Sequence, residues 1–186
     1  WIVLALAAFS AVALLIYGPA LQGGFIADDR HYIQINPSVH EISWDNMVTL
    51  WDPTGPLPLL VENYAPVHIL LHAVEWQLFG DATTGYHVVN AAVHALASLL
   101  LVIVFARSGI PMRLAWLGGV LFLVHPANVE AVAWISQLKT TAAMVLGLGA
   151  LLCHPRRPAW GAALFALALL AKPTAAVFLP VLVLMG

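Results

Sequence analysis

Charge is scarce in this sequence. Of its 186 residues only 9% are Asp, Glu, Lys or Arg, against a hydrophobic share of 62%. Soluble domains carry about a quarter charged residues, so a water-solvated globule is excluded and a membrane protein is the class that remains. Cysteine is nearly absent. Cys153 stands alone inside an apolar run, which excludes a disulfide framework and describes a buried, inert thiol. Net positive charge is absent as well: the formal charge is -2, and no basic surface for nucleic acid is indicated. Nor does any helical-repeat period of about 34 residues recur. The chain opens at Trp1 and stops at Gly186 within apolar sequence, so it is expected to be part of a longer protein.

What is present is a series of apolar runs. Residues 2–22 form the first, long enough for a spanning helix and too long for a signal-peptide core. A polar stretch follows, broken by Pro37, Pro53, Pro56 and Pro58. Within it, residues 43–51 predict a short helix capped by Ser43 that lays its tryptophans at the membrane surface. Residues 66–80 run from a proline to a glycine and predict an interfacial helix, too short and polar to span. Further spans are expected over residues 86–106, 112–133 and 135–153. Residues 159–171 and 174–186, split by Lys172 and Pro173, read as two helices or one kinked helix.

The charges sort by side. Arg107, Arg113, Arg156 and Arg157 occupy two short loops, which the positive-inside rule assigns to the cytoplasm. All nine acidic residues fall on the other side, together with Arg30, Lys139 and Lys172. Any chemistry is therefore expected at that outer face.

Several constellations lie there. Asp28 and Asp29 follow the first span and are flanked by Phe25, Ile26, Tyr32 and Ile33. A carboxylate at a lipid–water boundary can act as a general base or bind a cation; a solvated pair past a helix end is the alternative. His68, His72 and Glu75 share one helical face, with metal-ligand spacing or simply as the polar side of an interfacial helix. His87, Asn90 and His94 share another; Asn90 and His94 are expected to bond between helices, while His87, nearer the surface, is placed to reach a site. His125 and Glu130 stand at the outer end of one span and Lys139 at that of the next. Glu130 and Lys139 could pair with each other. Alternatively, Arg30, Lys139 and Lys172 could together hold a phosphate whose lipid tail lies in the bilayer.

The segments FIADDRHYIQINPSV, NYAPVHILLHAVEWQLFG, GYHVVNAAVH, LFLVHPANVEAVAWIS and LLAKPTAAVFLP, in this order, resemble the GT-C membrane glycosyltransferases. In particular they are similar to the membrane part of tetratricopeptide-repeat proteins related to the transmembrane O-mannosyltransferases, with compact loops of bacterial appearance. The pattern differs at Ala65 and Leu138, where such proteins carry a cation or histidine and an arginine respectively. The resemblance implies an all-α integral membrane protein. Residues 1–186 would form the N-terminal part of a GT-C-like bundle of five or six spanning helices, and residues 23–85 a first external loop with interfacial helices.

It also implies a function: transfer of a sugar from a polyprenyl-phosphate donor to an acceptor protein or glycan, on the periplasmic or external face of a bacterial inner membrane. Asp28 and Asp29 would supply the base or position the acceptor, with Glu130 assisting. Arg30, Lys139 and Lys172 would bind the donor phosphate, and His31, His72, His87 and His125 would line the acceptor side. A divalent cation, magnesium or manganese, would be held by Asp28 and Glu130. The competing readings are a non-catalytic scaffold or lipid-binding module and, further off, a transporter.

Overall fold

The computed structural model describes residues 1–185 and shows helices and no strand among them. Helix α1 (Ile2–Ile16) continues through a 3-10 turn at Gly18–Gln22. The outer loop then makes one wide π-type turn, Arg30–Gln34, and four helices: α2 (Pro37–His40), α3 (Trp44–Trp51), α4 (Pro56–Leu60) and α5 (Pro66–Phe79). The bundle resumes with α6 (Thr83–Arg107), α7 (Met112–Val124), α8 (Val129–Ala133), α9 (Leu138–Cys153), α10 (Pro158–Ala171) and α11 (Leu179–Leu184).

Local chemistry sets these boundaries. Ser43 Oγ accepts the backbone N–H of Asn46 at 3.2 Å and caps α3, as the sequence predicts. Proline opens α4, α5 and α10, where its missing N–H costs nothing, and Gly80 ends α5 with a φ of 54°. Two segments, Thr83–Arg107 and Ile135–Cys153, are long and apolar enough to cross a membrane. A third, Met112–Val124 with Pro126–Ala133, qualifies as a pair bent by 50°. The bend follows from Pro126, which forces His125 out of helical conformation to φ −69° and ψ 127°. Ile2–Ile16, Pro158–Ala171 and Pro173–Leu184 are shorter apolar helices. The final apolar stretch therefore forms two pieces: Lys172 is extended, and Pro173 starts a separate 3-10 turn. Gly186, the end of the expected final segment, lies outside the described residues.

Helix α6 is the hub of the bundle, packed against α1, α7 and α9, while α10 runs along α9. The core around α6 mixes Phe9, Tyr17, Leu99 and Leu123 with Ala13, Ala91, Ala95 and Ala115. Small residues let helix backbones approach closely, which matters where lipid supplies no hydrophobic drive for helix association. At Gly119 the helices come close: a Cβ there would lie 2.9 Å from Ser98 O and overlap Val102. A second core, of Tyr32, Ile33, Val39, Leu50, Ile69 and Tyr86, ties the outer loop to the bundle.

Helix α5 differs from its sequence reading. His68, His72 and Glu75 do not face water; they are 0%, 0% and 4% exposed. Val74 and Leu78 point outward instead. Part of this inside-out arrangement has a physical reason: His72 and Glu75 pair with each other at 2.7 Å inside the protein while apolar side chains face outward.

Gly119→Val is expected to lower stability by about 1–3 kcal/mol through overpacking at the α6–α7 contact. Gly18→Ala, with open space around its Cβ, is the control. Thermal unfolding in detergent checks this; coincident midpoints would show that the contact has no such constraint.

Candidate active site

The adjacent aspartates divide their work. Asp29 is fully buried. Its Oδ2 accepts the N–H of Ile26 at 2.9 Å, and its Oδ1 accepts the N–H of Ser136 at 2.8 Å. One carboxylate oxygen thus closes its own turn and the other fixes the outer loop to the turn that precedes α9. This corrects the expectation that the two acids share one chemical role: Asp29 is enclosed and presents no free edge. Asp28 is exposed and lines a cavity of about 370 Å³ with His31, Tyr32, Glu62 and Asn63. Ala27 (φ 45°) and Glu62 (φ 53°) are the non-glycine residues with left-handed backbone among those described. Both adjoin this cavity, and such strain costs on the order of 1–3 kcal/mol and collects at functional sites.

Tyr32 joins this cavity to the membrane side. Its ring lines the cavity, and the Lys139 ammonium lies 4.5 Å from the ring centroid and donates to the phenol oxygen at 3.4 Å. Burial first, and the charges of Asp28 and Glu62 in addition, hold the phenol above its usual range against an opposing bond from Asn63, so it remains neutral. Lys139 is 8% exposed, and the charges of Asp28 and Asp29 act on it. No carboxylate approaches it within ion-pair distance: the pair found among the described residues is His72 with Glu75, at 2.7 Å. The alternative of a Glu130–Lys139 ion pair is thereby set aside.

A second cavity, about 210 Å³, opens between α6, α7, α9 and the turn after α10. It is amphipathic. Lys172, Thr140 and Asn128 lie on its wall with Phe122, Met144 and Phe178. Lys172 Nζ donates to Thr140 Oγ1 at 2.7 Å and to Gln137 Oε1 at 3.4 Å, while Thr140 donates to Gln137 at 2.6 Å. The charges of Lys139 and Glu130 both reach Lys172. Sequence reasoning missed Tyr32, Gln137 and Thr140. The available signal was the run SQLKTT, an unusual density of polar groups at the head of an apolar helix.

The remaining candidates are placed as follows. Arg30 and His31 are exposed on the turn that carries Asp28. Glu130 is exposed in the first turn of α8. His125 Nδ1 accepts the N–H of Ala127 at 3.1 Å and caps the following turn. His87 is buried rather than near the surface, with Nε2 3.2 Å from Gly23 O, because the start of the outer loop folds over it. Asn90 donates to Trp134 O and Ile135 O, and His94 bonds to Leu123 O, the interhelical roles expected of them. His72 is buried against Glu75. No three His, Cys, Asp or Glu side chains converge as a metal site among the described residues.

The layout is thus an acid-lined cavity by the outer loop and an amphipathic, lysine-bearing cavity among the helices. Comparison with known proteins gives that layout a family. The chain is 32% identical to Protein O-mannosyl-transferase Tmtc1 of Drosophila melanogaster over 91% of its own length and 21% of that protein. It is 31% identical to human Protein O-mannosyl-transferase TMTC1, over 82% of this chain and 18% of the relative. With Protein O-mannosyl-transferase F38B6.6 of Caenorhabditis elegans it shares 28% identity over 77% of this chain. The chain is thus a homologue of the TMTC-type protein O-mannosyl-transferases, and spans about a fifth of the length of these relatives. No family model and no solved structure matches it.

His68 supplies a pH signature for this region. Neither ring nitrogen has a hydrogen-bond partner within the protein, and burial, then the charges of His72 and Lys139, hold the imidazole well below its usual range. The unfolded chain therefore binds a proton near pH 6.5 that the folded chain refuses, so stability falls as pH drops through that value. The expected slope is at most about 1.4 kcal/mol per pH unit, and His68→Phe should flatten it. Denaturation midpoints between pH 7.5 and pH 5.5 (a window set around that roughly 6.5 reference value) decide this; equal slopes for both proteins would refute it.

Proposed function

We propose that this chain is the membrane-embedded part of a glycosyltransferase that moves a sugar from a polyprenyl-phosphate donor to a hydroxyl group of an acceptor protein, on the membrane face that bears Asp28. The observation carrying this reading is the set of polar groups around two cavities: an acid-lined one whose wall includes Tyr32, itself in contact with Lys139, and one lined by Lys172 and Thr140 together with apolar side chains. That its relatives are protein O-mannosyl-transferases supports a sugar transferred to protein.

In this reading the donor phosphate lies against Lys172, steadied by Thr140 and Gln137, with its isoprenoid tail along Phe122, Met144 and Phe178. Lys139 faces the same charge from the Tyr32 side, and Arg30 adds a guanidinium from the outer turn. The acceptor hydroxyl enters over Asp28. As its oxygen bonds to the anomeric carbon, its proton passes to the Asp28 carboxylate, and the bond from that carbon to the phosphate oxygen breaks. The electron pair leaves with the polyprenyl phosphate, whose charge the lysines stabilise. Glu130 assists at the rim. Asp29 contributes by holding Asp28 and Tyr32 in register with Lys139.

Two variants of the full-length protein in detergent test this with a panel of radiolabelled polyprenyl-phosphate sugars. Asp28→Asn should lower turnover by about 10²–10⁴-fold with an unchanged melting midpoint. Lys172→Met should raise the KM for donor by roughly tenfold or more, the loss of a charge-assisted contact. Wild-type turnover in Asp28→Asn would remove the proposed base, and an unchanged KM in Lys172→Met would move the phosphate elsewhere.

A further inference from the structure

At the end of the bundle remote from Asp28, α6 finishes at Arg107 and the loop after α9 carries Arg156. Between them lies a cavity of about 330 Å³. Arg107, Ser108 and Arg156 form its polar side, and Val104, Leu151 and Val181 belong to its apolar side. Arg107 Nη1 donates to Leu152 O at 3.3 Å, which steadies the side chain and leaves its other N–H groups free to serve a ligand. The Arg156 guanidinium takes no protein acceptor among the described residues, and both arginines are exposed.

The chain offers nothing here to neutralise these charges. No Asp or Glu occurs between Asp81 and Glu130, and none after Glu130. The rule that places basic residues in this loop asks only for positive charge. It does not ask that two guanidinium groups share one concavity walled by the apolar flanks of membrane helices. We propose that this cavity binds the headgroup of an anionic phospholipid, with its acyl chains running along Val104, Leu151 and Val181. Guanidinium forks match phosphate oxygens in a bidentate manner. Basic pockets between membrane helices are suited to such headgroups. The apolar wall selects a lipid over a free phosphate ion. The absence of a nearby carboxylate selects an anionic headgroup over a zwitterionic one, whose ammonium group finds no partner in this loop. The site is independent of the donor cavity, which lies at the other end of α6 and α9.

The experiment is native mass spectrometry of full-length protein in detergent, offered phosphatidylglycerol, phosphatidylcholine or inorganic phosphate. Wild type should retain phosphatidylglycerol over phosphatidylcholine, with about fivefold of the preference lost for each arginine replaced in R156Q and R107Q/R156Q. Because Arg107 also bonds to Leu152, R156Q alone decides the matter if the double variant does not fold. K172M should retain phosphatidylglycerol as wild type does, which separates this site from the donor cavity. Equal retention of the two lipids by wild type overturns the proposal, as does undiminished retention in folded R156Q or loss of retention in K172M. Displacement of phosphatidylglycerol by inorganic phosphate would make the site one for a free anion and overturns the lipid assignment.

Discussion

A buried carboxylate pins the turn beside Asp28 to the start of the Lys139 helix. Asp29 reaches Ile26 in its own turn and Ser136 at the start of the helix that carries Lys139, a contact across 107 positions of chain. A carboxylate withdrawn from water is costly unless its lone pairs are engaged, and two backbone N–H groups engage them here. The geometry of the candidate site depends on this bond. It fixes the loop that bears Asp28 and Tyr32 to the segment that carries Lys139, where the phenol of Tyr32 meets the Lys139 ammonium. The second core, with Tyr32, Ile33 and Tyr86, encloses the same junction and keeps water from competing for it.

Much of the architecture is legible in the sequence because membrane proteins obey few rules strictly. The apolar runs over α6 and α9 have the length a bilayer demands, and the Ser43 cap and the Pro66 start appear where local chemistry puts them. Asn90 and His94 satisfy backbone carbonyls on neighbouring segments, as buried polar groups beside lipid must. The illegible parts are those decided by tertiary packing. Nothing in the dipeptide Asp28–Asp29 tells which carboxylate turns inward; the location of Ser136 decides that. Nothing local to α5 tells that its polar row faces protein, since the same spacing serves a water-exposed face equally well. His87 is buried because the loop start folds over it, a contact across 64 positions. Gln137 and Thr140 gain meaning only once Lys172, from a later segment, arrives between them.

The distribution of cations argues further. Four of the basic residues lie in the two loops where topology favours them, and Arg30, Lys139 and Lys172 lie at the opposite end, against that preference. Lys139 goes further and is nearly enclosed. An ammonium in such a place loses several kcal/mol of hydration, and an ion pair is the usual compensation. Here the compensation is only partial: an aromatic face, a phenol oxygen and the more distant charges of Asp28 and Asp29. A hydrophobic residue in the same position would serve stability better. Retaining a costly, incompletely paired cation beside an amphipathic cavity makes physical sense when an anion completes the pairing during the working cycle. Under the proposed function the donor phosphate would be such an anion, and it would also relieve the mutual repulsion of the two lysines.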